Sequence, residues 1–188
     1  MELLIIGGVV LVGFYSLYVT VIKRRNTARE ALSSIDVQLR KRHDLIPNIV
    51  TLAQKFMTHE KELLTGLTEA RNLAHQSYSP DDPAAVEQHL EAERKLQSGM
   101  MQLFAVAKNY PELRSSEAIQ NAQQTYSEVE GHISAARRFY TSAVTDLKNA
   151  CEIWPMSMVA AMAGVKALPY FEVEEAVREP VNVADIMD

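Results

Sequence analysis

The chain has 188 residues but only one cysteine, one tryptophan, seven glycines and seven prolines. A single cysteine, Cys151, excludes an internal disulfide and a cysteine-built metal centre, and it agrees with a reducing compartment. The glycines form no phosphate-binding loop, and three of them, Gly7, Gly8 and Gly13, fall in the first fourteen residues. Between Thr27 and Trp154 chain breakers are few and no strand-like alternation appears, so this part reads as all helical. A surplus of positive charge is also missing. The net charge of -5 argues against a nucleic-acid binder, which needs a basic surface for phosphates.

Long apolar runs are not missing. Leu3 through Ile22 is a twenty-residue stretch without a charged side chain, followed at once by Lys23, Arg24 and Arg25. As a helix it is about 30 Å long, which matches the hydrocarbon core of a bilayer. A cleaved signal peptide fits poorly: Glu2 is acidic, the run is long and no small-x-small cleavage site follows. A lipoprotein anchor also fits poorly, because the only cysteine is Cys151. Residues 1-25 therefore read as a transmembrane anchor with a basic collar, which meets membrane lipid. Because Lys23, Arg24, Arg25 and Arg29 follow the span, the bulk is expected on the cytoplasmic side and the short N-terminus outside.

About 165 residues remain, enough for one domain with a core. Two turn-forming clusters, 77–83 and 110–116, divide it into three long helices. The clearest seam is Ile119, Ala122, Tyr126, Val129, Ile133, Ala136, Tyr140, Ala143, Leu147, Ala150 and Trp154, with a spacing averaging 3.5 residues. Ser115 or Ser116 is expected to cap it and Pro155 to end it. A first helix carries apolar residues from Ala28 to Ala74, interrupted at Arg42 and Glu60, with a kink or break expected at Pro47. A middle helix from Pro83 to Asn109 is capped by Asp82. Met156 to Leu168 forms a short fourth apolar piece.

These lengths, about 75, 40 and 58 Å of straight helix, do not cover one another. Either a partner covers the apolar face at Leu32, Ile35 and Leu39, or Met156 to Phe171 folds back over it. The fold class is thus all-α: an N-terminal transmembrane helix, then an up-and-down antiparallel bundle of long helices resembling a four-helix bundle.

The stretch from Ile35 to Val50 closely resembles the signature of the LemA family of bacterial membrane proteins. Similarity extends to Tyr18, Arg25-Asn26, His59-Glu60, Ala70-Arg71, 110–113, 135–140 and 169–171, in order over nearly the whole chain. The resemblance implies a single N-terminal span in the bacterial inner membrane and a mostly cytoplasmic helical domain, here residues 26-170, with a C-terminal tail at 171-188. It implies no established active site. Val19 and Leu32 stand where many relatives have Asn and Trp.

Candidate sites are sparse. The run Arg40, Lys41, Arg42, His43, Asp44 suits either a solvated face with internal ion pairs or a partner's acidic groove. Arg137 and Arg138 flank the seam residue Tyr140 and are candidate partner contacts, as is Leu32. The five histidines form no HExxH motif or other ligand set, and His89 with Glu93 at four-residue spacing reads as a hydrogen bond or ion pair. His59-Glu60 reads as a buried polar register device or a partly exposed turn. Cys151 has no base beside it and reads as an idle thiol. No catalytic residue, metal, cofactor, small-molecule substrate or nucleic acid is expected. The reading is a non-enzymatic interaction or scaffold module, associating with itself or with a membrane-protein partner. The alternatives are membrane organisation or remodelling, and regulation of a membrane peptidase.

Overall fold

The computed structural model describes residues 1–171; the side chain of Leu3 and residues 172–188, most of the expected tail, lie outside the described residues. The described residues form six helices and no strand: α1 (Glu2–Gln54), α2 (Lys61–Ala74), α3 (Pro83–Ala107), α4 (Pro111–Ser115), α5 (Glu117–Glu152) and α6 (Met156–Met162). α1 is 53 residues long, about 80 Å, and α5 is 36 residues, about 54 Å. They pack side by side in opposite directions, because Arg24 reaches the carbonyl of Asp146 while Arg42 reaches Glu130 further down. The shorter α2 and α3 form a hairpin against the far half of this pair.

The first helix does not break at Pro47. It runs through to Gln54, and the chain turns at 55–60, so the single helix expected from Ala28 to Ala74 is two. The reason lies on the neighbouring helix. Pro47 has no N–H to give the carbonyl of His43, and Arg71 Nε, from α2, donates to that oxygen at 3.0 Å instead. A partner from the neighbouring helix thus satisfies the carbonyl that the proline leaves without its usual bond.

α3 begins as its sequence indicates. Asp82 caps it by accepting from the Ala84 N–H at 3.1 Å, with Pro83 in the first turn. α5 starts after Ser116, but neither Ser115 nor Ser116 makes a side-chain cap bond to it. Its seam is buried at Ile119, Tyr126, Val129, Ile133, Tyr140, Ala143, Leu147 and Ala150, whereas Trp154 lies beyond the helix end and is 74% exposed. The hydrophobic strip simply outlasts the helix that organises it.

Two cores result. One joins the Val21–Leu39 stretch of α1 to α5 from Val129 onward, Val86 and Leu90 of α3, α6 and the segment from Val165 to Phe171. The other joins the end of α1 to α2, α3, Leu113 and the start of α5. Leu32, Ile35 and Leu39 are buried in the first of these cores, which includes the folded-back C-terminal segment, and are not left as an open face. That fold-back needs a sharp turn after α6, and Gly164 makes it at φ 65°. Its N–H bonds to the Ala161 carbonyl at 3.1 Å, and the Val165 N–H bonds to the Ala160 carbonyl at 2.9 Å, the paired bonds of a Schellman turn. Tyr140 then holds the returning chain, its hydroxyl donating to the Pro169 carbonyl at 2.8 Å.

From Leu4 to Ser16 α1 has no packing partner and its apolar side chains are exposed. By length and composition it qualifies as a helix able to cross a membrane.

Candidate functional site

Between the two cores lies a layer of charge. Arg42 is wholly buried, and its guanidinium is shared among three acceptors. Nη2 bonds to the Glu93 carboxylate and, at 3.1 Å, to the Glu93 carbonyl, while Nη1 donates to Glu130 Oε1 at 3.0 Å. Gln97 holds the other Glu130 oxygen at 3.1 Å. His43 Nε2 lies 2.7 Å from the second Glu93 oxygen. Helices α1, α3 and α5 each contribute, so this layer fixes their mutual register. A buried ion pair contributes little net stability against an apolar replacement, but losing one partner strands a buried charge.

The electrostatics keep these groups in their ordinary charge states. Burial alone would lower Arg42, but Glu93 and then Glu130 outweigh it, leaving the guanidinium above its usual value. Burial would raise the Glu93 carboxyl, yet the His43 hydrogen bond and the Arg42 charge hold it below the usual range. Tyr126, beside them, is pushed upward by burial and by the Glu130 carboxylate. These three residues therefore offer no acid–base pair near neutrality.

On one side the layer opens into a cleft of about 320 Å³, lined by Asp36, Arg40, His43, His75, Tyr78 and His89 among others. Tyr78 closes it, its ring stacked on His89 at 4.1 Å between centroids and its hydroxyl donating to Asp36 Oδ2 at 2.8 Å. His89 Nε2 sits 3.5 Å from Asp36 Oδ1 and 4.0 Å from Glu93 Oε1. The expected pairing of His89 with Glu93 is thus secondary to partners on α1. Among the described residues no three of His, Cys, Asp and Glu come together in a metal-binding group. Cys151 is far along α5, in contact with the Val165 carbonyl at 3.8 Å, and burial pushes its thiol up, away from thiolate.

The run from Arg40 to Asp44 does not act as one surface: Arg40, Lys41 and Asp44 are exposed, while Arg42 and His43 point inward. Leu32 is 1% exposed and presents nothing to a partner. Arg137 lies over the Phe171 ring, 4.1 Å from its centroid, while Arg138 is exposed. Phe171 itself is buried in the first of the two cores, inside the segment read as tail. Of the collar, Lys23 is exposed, Arg24 Nη1 donates to the Asp146 carbonyl at 3.2 Å, and Arg25 is half buried. The register device is Arg42 with Glu93, not His59-Glu60; His59 is exposed and Glu60 accepts from the Tyr110 hydroxyl at 3.2 Å.

Asp36, Tyr78, Arg71 and Glu130 are not among the candidate site residues that the sequence offers. One signal was available: the apolar seam of α1 is interrupted at Arg42, and the stripe of α3 skips a turn at Glu93, between Leu90 and Leu96. Opposite charges in the gaps of two facing seams mark a buried pair.

Taken together, the long apolar-headed helix and the charge layer between two cores define an all-α bundle protein organised around one continuous column. The LemA family model matches residues 31–184, and the chain belongs to that family. Among curated proteins none matches it.

Proposed function

We propose that this protein is a non-enzymatic interaction module that holds a rigid helical bundle at the cytoplasmic face of the bacterial inner membrane. The observation that carries the reading is α1 itself. Its first apolar residues, among them Ile5, Val9 and Leu11 at 65 to 71% exposure, have no protein to pack against, yet the same helix becomes a core element from Val21 onward. Leaving such a stripe in water is unfavourable by about 25 cal/mol per Å², and a bilayer removes that burden. The basic residues after the run support a cytoplasmic position for the bundle. The buried charge layer is taken up with internal ion pairs, and exposed Arg40, Lys41 and Arg138 are the residues proposed to meet a membrane-protein partner or a second copy.

The test uses the full chain with Cys151→Ser and a new cysteine in place of exposed Gln124. After alkaline carbonate washing the protein should stay with the membranes, and an impermeant maleimide should label it only once spheroplasts are opened. Release by carbonate would overturn the anchor, and labelling of intact spheroplasts would overturn the orientation. Photocrosslinkers at Arg40, Lys41 and Arg138 should each give reproducible adducts in native membranes. Silence at all three would overturn the interaction reading.

A further inference from the structure

The corner between α5 and α6 is an apolar foot. Ile153, Trp154, Met158 and Met162 are 55, 74, 60 and 74% exposed within ten residues, at one end of the bundle and on the side where α6 packs on α1. The antiparallel register gives its height. Between Arg24 and Arg42 on α1, α5 runs back from Asp146 to Glu130, so continuing α5 to Trp154 brings it to about the level of Leu17. Leu17 and Met156 indeed pack against the same core.

That level lies inside the apolar run. Leu17 is about 7 Å short of Ile22 along the helix. The part of α1 free of the bundle, Leu4 to Ser16, is only about 20 Å long, against about 30 Å of hydrocarbon. If the whole run is immersed, the corner is carried in with it, to the depth at which interfacial helices bury their apolar faces, about 5 to 10 Å. Trp is the residue favoured there, with an apolar ring and one N–H for the headgroups. Lys23 is exposed a turn and a half below Leu17, and Glu152, at the edge of the corner, lies 4.0 Å from Lys148.

We propose that this corner is a second membrane contact: Ile153, Trp154, Met158 and Met162 insert into the headgroup–acyl boundary of the leaflet that α1 leaves, fixing the bundle against the bilayer at a defined tilt. The proposal rests on the membrane reading of α1. Its occupant is lipid of the same bilayer, because the register sets the corner at the height of the span.

Trp154 is the protein's single tryptophan, so its own fluorescence reports the contact. The unmodified full chain is reconstituted into phosphatidylcholine–phosphatidylglycerol vesicles, floated, and its emission read with lipids brominated near the top of the acyl chain and with aqueous acrylamide. The expected result is co-flotation, blue-shifted emission, loss of most intensity to the bromolipid and little to acrylamide. A chain that floats but emits as a water-exposed indole, open to acrylamide, overturns the foot alone. Blue-shifted emission untouched by bromolipid, the result of two copies packing through the corner, overturns it as well. A chain that does not float overturns the span and the foot together.

Discussion

Arg42 shows what a single residue determines in this protein. It sits in the densest positive run of the sequence, yet its side chain is wholly buried and its two terminal nitrogens pair with carboxylates from two other helices. Arg42→Ala should therefore cost about 3 to 5 kcal/mol, read by chemical denaturation in nanodiscs, while Arg42→Met with Glu93→Leu should recover most of the loss. A single-variant loss below about 1 kcal/mol would mean that water reaches the layer. Acid should act on the same place. Glu93 is held below its ordinary 4.5, so its ionised form contributes stability that is complete above that pH and disappears as pH falls through the lowered value. Glu93→Gln should lower the neutral plateau and flatten the acid limb; an unchanged acid limb would exclude Glu93 as its source. Leu32→Asp, which places a carboxylate in the core around the middle of α1, should unfold the domain and not merely detach a partner.

At the scale of elements, the helices were largely legible and their ends were not. The seam of α5 and the Asp82–Pro83 start of α3 follow from local rules, since spacing and capping act within a few residues. The continuity of α1 does not, because the donor that replaces the missing N–H of Pro47 comes from Arg71, twenty-four residues later and on another helix. The polar layer was hidden for the same reason: Arg42 and Glu93 are separate gaps in two stripes until the bundle brings them together. Arg71→Met should cost about 1 to 2 kcal/mol, and clearly less in a Pro47→Ala background where the backbone supplies the bond. Equal losses in both backgrounds would show that the guanidinium does not serve that carbonyl. Gly164→Ala, which forces a side chain into a left-handed turn, should destabilise the fold-back by about 1 kcal/mol. No loss would mean the turn tolerates a side chain.

At the scale of the molecule, one helix is common to everything described above. Its apolar head is the proposed span, its middle packs against α5, α6 and the returning C-terminal segment, and its end packs against the α2–α3 hairpin. The two parts, an apolar run and a bundle, are legible in the sequence; their union in one helix is supported by Arg24 bonding to α5 just past the apolar run and by Arg71 at Pro47. A rigid union is what allows a bundle to hold a fixed attitude to the bilayer, and a flexible one would leave it tethered only. The direct test is the distance between spin labels at exposed Ser16 and Gln54, in nanodiscs and with Cys151→Ser, by pulsed electron resonance. A continuous helix gives one narrow distribution centred at about 57 Å, whereas a broad or markedly shorter distribution would contradict the continuous column.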